Sequence, residues 1–268
     1  MIQWFPGHMA KTRKLMQENL KLVDVVIEMM DARLPLSSRN PLIDGLVGDK
    51  PRLIVMAKSD LAESEWTQEW IRYFQKQGWI AQTGQFKGGQ PAQLKKQIAE
   101  AIVRAGEKVL ERRRSRGIVN QSLRVMVTGI PNVGKSTLIN LFAGKAQAEI
   151  GDRPGVTRGK QWIRLSNNLE LLDMPGILWP RIEDPDVAKK LAVTGAIGEN
   201  AYDPATLCLW LIPWLVDHRP GRLEARYQVS EKLSGESDAL TEYPQGAATI
   251  ALMEDIGRRR GLIRKGQV

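Results

Sequence analysis

The chain of 268 residues is 43% hydrophobic and 26% charged, which is the composition of a globular protein with room for one large core or for one domain and an appendage. Its net charge of +9 is concentrated in segments 8–21, 111–124 and 257–268, which is typical of a nucleic-acid-binding surface, although solvated helix ends are the simpler alternative. A single cysteine, Cys208, excludes an internal disulfide, and the longest apolar run, 207–216, is too short to span a bilayer, so we expect a cytoplasmic protein without a membrane partner.

The predicted elements of the first 180 residues alternate between strands and helices. Segments with the apolar character of strands occur at 23–30, 52–57, 79–83, 123–128, 161–165 and 169–172. Segments with apolar residues at helical spacing occur at 8–21, 64–77, 91–114 and 136–144. The Asn167-Asn168 pair between the last two strands indicates a hairpin. The pattern predicts an α/β domain with a mostly parallel six-stranded sheet.

The strand pattern stops after Pro180. The remaining residues have helical spacing, interrupted by prolines and glycines, in four segments: 186–197, 204–216, 222–233 and 245–260. We therefore predict an α/β domain over 1–180 and a small all-helical domain over 181–268.

The strongest motif is the glycine-rich sequence at 129–137, Gly-Ile-Pro-Asn-Val-Gly-Lys-Ser-Thr, which matches the phosphate-binding pattern G-x-x-x-x-G-K-[ST]. It lies between a predicted strand and a predicted helix, where backbone N–H groups and the helix N-terminus can surround phosphate oxygens. The expected nucleotide contacts are Gly129, Asn132, Val133, Gly134, Lys135, Ser136 and Thr137. We expect Lys135 to bridge the β- and γ-phosphates and, as a catalytic residue, to stabilise the charge that develops during hydrolysis. The Ser136 hydroxyl is expected to ligate Mg²⁺.

A second turn, Asp173-Met-Pro-Gly176, closes the last predicted strand. A carboxylate at Asp173 can hold Mg²⁺, usually through water, and the Gly176 N–H can contact the γ-phosphate. Thr157 lies between the two motifs in a loop rich in glycine and proline. It is the candidate for a second hydroxyl ligand of Mg²⁺, and the alternative is an ordinary loop threonine.

The turn Ala57-Lys58-Ser59-Asp60 follows the second predicted strand and is close to the Asn-Lys-x-Asp turn that reads guanine in GTPases. A desolvated Asp60 carboxylate would accept hydrogen bonds from guanine N1–H and the amino group and would reject adenine. The Lys58 stem would cover the base plane. Ala57 replaces the usual asparagine, and a solvated turn is the alternative interpretation. Residues 83–85, Thr-Gly-Gln, loosely match a further base-contacting loop.

The order of these motifs is itself informative. In an ordinary GTPase the base-reading turn comes last, whereas here Asp60 stands 75 residues before Lys135. The order indicates a circularly permuted GTPase with GTP as its substrate.

The residue after Gly176 is Ile177, where many GTPases have a glutamine that orients the attacking water. An isoleucine side chain cannot hydrogen-bond water, so another group must complete the catalytic site. His8 is our candidate, because imidazole can orient or deprotonate water near neutral pH. A helix cap or a contact with RNA phosphate is the alternative role for His8, and we expect His218 to be a helix-end residue.

Taken together, these motifs resemble the ribosome biogenesis GTPase A (YlqF-like) family. The matching motifs are Phe5-Pro-Gly-His-Met9, Asp31-Ala-Arg33, Lys58-Ser-Asp60, Gly129–Thr137, Arg153-Pro-Gly-Val-Thr157 and Asp173-Met-Pro-Gly-Ile177. The resemblance implies a GTPase that helps to mature the large ribosomal subunit and binds ribosomal RNA through its helical domain, with no DNA partner. It also implies that His8 is the catalytic histidine and that Asn132 holds a potassium ion near the phosphates.

Three other functions are compatible with the residues. The chain can be a GTPase switch for a protein partner with incidental RNA binding, an RNA-binding module whose hydrolysis is vestigial, or, given Ala57, an ATP-specific enzyme. Segment 173–180 runs directly into the predicted helical domain, so we expect loss of the γ-phosphate to change how that domain is presented.

Overall fold

The computed structural model describes residues 9–86, 88–118, 122–143, 161–166, 169–173, 182–231 and 246–262. Strands among these residues are β1 (Val25–Asp31), β2 (Arg52–Ala57), β3 (Ile80–Gly84), β4 (Leu123–Gly129), β5 (Gln161–Ser166) and β6 (Leu169–Asp173). The helices are α1 (Met9–Leu20), α2 (Leu42–Val47), α3 (Ser64–Lys76), α4 (Pro91–Ala105), α5 (Glu107–Ser115), α6 (Lys135–Ala143), α7 (Pro185–Val193), α8 (Pro204–His218), α9 (Arg222–Tyr227) and α10 (Gly246–Arg259).

The strands form one six-stranded sheet in the order β3-β2-β1-β4-β6-β5. All neighbouring pairs are parallel except β5 and β6, which pair antiparallel at one edge. This arrangement confirms the predicted α/β fold, the mostly parallel sheet and the antiparallel pairing of the last two strands. The parallel strands end at the same edge, which is where ligands bind in open α/β sheets.

The sheet has a core on each face, as its nearly continuous apolar strands require. Every residue of β1 and β2 is buried. On one face, Phe74 of α3 packs in a cluster with Met30, Ile54 and Met56. Phe74 is fully buried, which stabilises the fold by roughly 1.5–3 kcal/mol relative to leaving the ring exposed.

Three helices differ from the sequence prediction. The predicted helix 222–233 ends at Tyr227, because Gln228 is left-handed (φ 59°) and residues 228–231 are not helical. The predicted helix 91–114 is divided at Gly106, where a Cβ atom would lie 2.6 Å from Leu123 Cδ1 and 3.2 Å from Val25 Cγ2. The helix therefore approaches the sheet more closely than any residue with a side chain permits. The short helix α2 was not predicted, because its six residues include Gly45 and lack a full helical repeat.

The chain divides into two compact units, Met1–Gly198 and Glu199–Val268. The predicted division at 180/181 differs, because α7 belongs to the first unit. Leu191 and Ala192 of this helix are buried, and Gly195 after it accepts a hydrogen bond from Asn132 Nδ2 at 2.7 Å. Helical periodicity identifies the helix, but these long-range contacts decide which unit contains it.

The described part of the second unit contains helices and no strand. Helices α8, α9 and α10 contribute to a small core with these buried members: Ile212, Leu223, Val229 and Leu252. His218 ends α8, as predicted, and stacks on Trp214 with 4.7 Å between ring centroids. None of the helices in the described ranges is long and apolar enough to cross a membrane.

Candidate nucleotide-binding site

The carboxyl edge of the sheet brings several predicted nucleotide contacts together. In the strand register, Ala57 is opposite Gly84, and Gly129 is opposite Met29. Asp173 ends β6, the neighbour of β4. The strands that lead into the predicted base-reading turn, phosphate loop and metal-binding turn therefore end at the same edge of the sheet, although these motifs are far apart in sequence.

The phosphate loop follows the strand–loop–helix path that its sequence predicts. Gly129 has a φ angle of 147°, and a Cβ atom there would lie 2.5 Å from the Met29 carbonyl oxygen. The loop continues through Asn132 (φ 56°) and Gly134 (φ 108°), and α6 begins at Lys135. This path directs backbone N–H groups and the positive end of a helix toward one space, which favours an anion.

The Lys135 ammonium group is bonded inside the loop. The residue is 6% exposed, and Nζ donates to the carbonyl oxygens of Gly129 at 3.3 Å and Ile130 at 2.8 Å. Val133 is buried, and Thr137 lies in the first turn of α6. A phosphate oxygen would offer the ammonium a negative charge in place of neutral carbonyls, so Lys135 is positioned to exchange partners when a nucleotide binds.

The predicted base-reading turn has a left-handed residue, Lys58, at its start. Lys58 has a φ angle of 58°, and Ser59–Leu61 forms a 3-10 turn in which Leu61 N donates to Lys58 O at 2.9 Å. Asp60 lies within this turn and is exposed. Its carboxylate is therefore accessible to a ligand just beyond the end of β2. A bound base would shield this carboxylate from water, and a shielded carboxylate selects guanine over adenine.

Lys58 is tied to the end of the neighbouring strand, which sequence reasoning did not foresee. Its Nζ lies 3.1 Å from Asp31 Oδ2, and Arg33 also donates to that carboxylate from Nε at 2.9 Å. Burial raises the pKa of Asp31, but hydrogen bonds from Arg33 and the charge of Lys58 outweigh it and hold the pKa below its ordinary value. Asp31 is therefore an ionised carboxylate shared by two cations.

Several predicted site residues lie outside the described residues: His8, Thr157, Gly176 and the adjacent Ile177. For Asp173 the structure describes the backbone at the end of β6 and not the side chain. Ser136 is the second residue of α6, which follows β4. A hydroxyl and a carboxylate that follow neighbouring strands form a hard oxygen donor set, and this chemistry fits Mg²⁺.

Asn132 connects the phosphate loop to the end of the first unit. Its Nδ2 donates to Gly195 O at 2.7 Å, two residues beyond the end of α7. Only the other atom of this amide, Oδ1, could ligate the potassium ion that the family resemblance implies at Asn132. Any movement of this side chain therefore affects the phosphate loop and the segment after α7 together.

Comparison with known proteins identifies the family. A family model described as "50S ribosome-binding GTPase" matches residues 124–241. Ribosome biogenesis GTPase A of Bacillus cereus is 44% identical over 266 residues, which cover 99% of this chain and 84% of the relative. The chain belongs to the ribosome biogenesis GTPase A family. It is a GTPase, as its motifs predict.

Two further comparisons agree with the assignment of this chain to the ribosome biogenesis GTPase A family. Mitochondrial ribosome-associated GTPase 1 of Mus musculus is 38% identical over 227 residues, covering 81% of this chain and 67% of the relative. The crystal structure of GNP-bound YlqF from T. maritima has the same fold, with a TM-score of 0.55, 24% sequence identity and 94% coverage of each chain. The family resemblance and the circularly permuted motif order predicted from the sequence are confirmed.

The basic segments are only partly available to a partner. Arg113 Nη2 donates to Asp24 at 2.7 Å, and Arg124 Nε donates to Glu170 at 3.1 Å. Helix α10 likewise pairs two of its arginines with acids one turn earlier. Three arginines at the end of α5 are exposed and form no ion pair within the described ranges: Arg112, Arg114 and Arg116.

A buried glutamate in β1 is the ionisable group that sequence reasoning missed most completely. Glu28 is 1% exposed; Arg52 Nη1 donates to its Oε2 at 3.2 Å, and Arg39 Nε lies 3.6 Å from its Oε1. Asp44 Oδ1 accepts a hydrogen bond from the same Arg52 Nη1 at 2.5 Å.

The guanidinium groups of Arg39 and Arg52 also stack near Trp79, at 4.6 Å and 4.8 Å from the centre of its ring. Burial, only partly offset by Arg52 and Arg39, raises the pKa of Glu28 to about 7.

Proposed function

We propose that this chain is a GTP-hydrolysing assembly factor for the large ribosomal subunit, and that it binds ribosomal RNA on a precursor particle in a nucleotide-dependent way. The observation that carries the proposal is the similarity over 99% of the chain to a protein named ribosome biogenesis GTPase A. The matching family model is described as a 50S ribosome-binding GTPase, which supports the large subunit as the partner. The helical domain and the exposed arginines of α5 would provide the RNA contacts.

In this proposal the triphosphate lies in the phosphate loop and the guanine base lies against the turn after β2. The phosphates would be contacted by Gly129, Asn132, Val133, Gly134, Lys135, Ser136, Thr137 and Gly176. The base would be contacted by Lys58, Ser59 and Asp60. The convergence of these segments at one edge of the sheet supports the assignment, as does the bound nucleotide in the YlqF structure from T. maritima.

GTPases use Mg²⁺ together with GTP, and the ion neutralises charge on the phosphate oxygens. Ser136, Thr157 and Asp173 would hold it. Asn132 would hold a potassium ion through Oδ1, which would supply positive charge that other GTPases obtain from an arginine finger.

His8 would orient the attacking water, because Ile177 cannot. We expect His8→Ala to lower particle-stimulated GTP hydrolysis by about 10²- to 10⁴-fold, the usual contribution of a general base, without changing GDP affinity. His218→Ala is the matched control, since His218 is the other of the two histidines and ends α8. Equal stimulated rates in wild type and His8→Ala would remove His8 from the mechanism.

Co-sedimentation with ribosomal particles tests the proposal as a whole. We expect the chain to bind large-subunit precursors more tightly with a non-hydrolysable GTP analogue than with GDP, and to ignore small-subunit precursors. Binding that is equal for both kinds of particle, or insensitive to nucleotide, would contradict the proposal. The cytoplasmic location stays a prediction.

The alternative is a GTPase switch for a protein partner, with incidental RNA binding. The intramolecular ion pairs of Arg113 and Arg124 favour it, because they reduce the charge available to phosphates. RNA binding weakens steeply as salt rises, in proportion to the number of phosphates neutralised. Particle binding that hardly depends on salt would therefore support the protein-partner function. The GTPase assignment removes the ATP-specific alternative.

A further inference from the structure

The motif Asp31-Ala32-Arg33 begins at the last residue of β1 and has no role in the function proposed above. Asp31 is opposite Ala57 in the parallel register, and Ala32 N donates to Ala57 O at 2.8 Å. The motif therefore lies directly beside the residue that precedes the base-reading turn.

The Asp31 carboxylate has a single, fully specified orientation. Oδ1 accepts hydrogen bonds from Arg33 N at 3.1 Å and Arg33 Nε at 2.9 Å. Oδ2 accepts from Arg33 Nη2 at 2.7 Å and lies 3.1 Å from Lys58 Nζ. The Asp31 N–H is also bonded, to Ser38 Oγ at 2.9 Å. The Asp31 carboxylate is 2% exposed and its orientation is fixed by these hydrogen bonds, so it can hold the Lys58 ammonium group in one position.

The conformation of Lys58 determines where Asp60 lies. The left-handed backbone of Lys58 is disfavoured for any residue with a side chain, and it starts the 3-10 turn that carries Asp60. A disfavoured conformation persists when its surroundings hold it. Here the ammonium end of the side chain is held by Asp31.

Ala57 cannot provide the support that an asparagine gives at this position. Its side chain is a fully buried methyl group, and a Cβ atom on Gly134 would lie 3.9 Å from it. The residue therefore faces the phosphate loop without a polar atom to bond to it. Ala57 therefore gives the turn no polar brace on the phosphate-loop side, whereas Lys58 gives it one on the β1 side.

We propose that Asp31 is a positioning residue for guanine recognition, and that its carboxylate, oriented by Arg33, anchors Lys58 and so fixes the turn that presents Asp60. This inference rests on the proposed assignment of Asp60 as the base reader. Arg33 contributes in a second way, because its guanidinium group is close enough to feel the charge of Asp60; its pKa is raised first by the hydrogen bond to Asp31 and further by the Asp31 and Asp60 charges.

The test compares affinities for GDP and IDP, which differ only by the exocyclic amino group that Asp60 would contact. We expect Asp31→Asn to reduce the GDP-to-IDP affinity ratio by about tenfold, the value of one charge-assisted hydrogen bond, with a smaller change for IDP itself. Asp24→Asn is the matched control: Asp24 precedes the same strand at its opposite end and is paired with Arg113, so the ratio should not change. Equal weakening of both nucleotides by Asp31→Asn, or no weakening, would overturn the inference.

Lys58→Met breaks the same ion pair without touching the buried carboxylate, and it keeps an apolar stem over the base. It should reduce the ratio as well, and the double variant should lose no more than the larger single effect, because the two residues act as one unit. Multiplying effects would show that Asp31 does not act through Lys58. Asp60→Asn separates the two proposals: an unchanged ratio removes the base-reader assignment, whereas a ratio that falls for Asp60→Asn but not for Asp31→Asn removes only this inference.

Discussion

Replacing Glu28 by glutamine should change how the stability of the protein depends on pH. The pKa of this buried carboxyl is raised from 4.5 to about 7, so the folded state keeps the proton over a range in which the unfolded state has lost it. The free energy of unfolding should therefore fall as pH rises from about 4.5 to about 7, by about 3 kcal/mol in total at 1.36 kcal/mol per pH unit. Glu28→Gln removes the titrating group and should remove this slope.

Urea unfolding followed by circular dichroism at half-unit pH steps measures the effect, and the difference between the two proteins isolates Glu28 from other titrating groups. Glu69→Gln is the matched control, because Glu69 is a solvent-exposed glutamate of α3 whose partner is Arg72. We expect the control to follow the wild-type profile. Parallel profiles for wild type and Glu28→Gln would mean that Arg39 and Arg52 keep Glu28 ionised throughout, and the reasoning from burial would be wrong.

Three other predictions follow from the described contacts. Lys135→Ala should weaken GTP binding by about 10- to 100-fold in calorimetry, because it removes the buried ammonium that we propose bonds to phosphate, and an unchanged affinity would contradict that role. Replacing Arg112, Arg114 and Arg116 together by alanine should reduce the slope of log affinity against log salt for RNA by about 2–3, and an unchanged slope would place the RNA elsewhere. Phe74→Ala should lower the free energy of unfolding by about 3–5 kcal/mol, and a loss below about 1 kcal/mol would show that the cluster on that face of the sheet is not central.

The sheet and the phosphate loop could be predicted because their constraints are local. Continuous apolar strands are required wherever both faces of a sheet are covered, and each predicted strand is present with small shifts at its ends. The phosphate loop could be predicted because Gly129 must be a glycine. Its φ angle and its distance to the Met29 carbonyl oxygen exclude a side chain. Such requirements leave a signature in the sequence itself.

The features that were missed depend on partners far along the chain. The close approach at Gly106, between α4 and α5, depends on Leu123, which lies far along the chain, and no local pattern contains that information. Asp31 was part of a recognised motif, but its partner Lys58 becomes visible only when β1 and β2 pair. In the sequence, Glu28 is an unfavourable charge within an apolar strand. Its partner Arg52 becomes apparent only when β1 and β2 pair and the guanidinium group donates to the Glu28 carboxylate.

The strand order has a consequence for how the protein is made. Synthesis delivers β1, β2 and β3 first, and these three are adjacent in the sheet, so the half of the sheet that carries the proposed base-reading turn can assemble before the phosphate loop has been made. During that interval β1, all of whose residues are buried in the finished molecule, has one side without its final neighbour. A nascent chain halted there would expose an apolar, aggregation-prone strand edge, and β4 covers that edge when it pairs with β1.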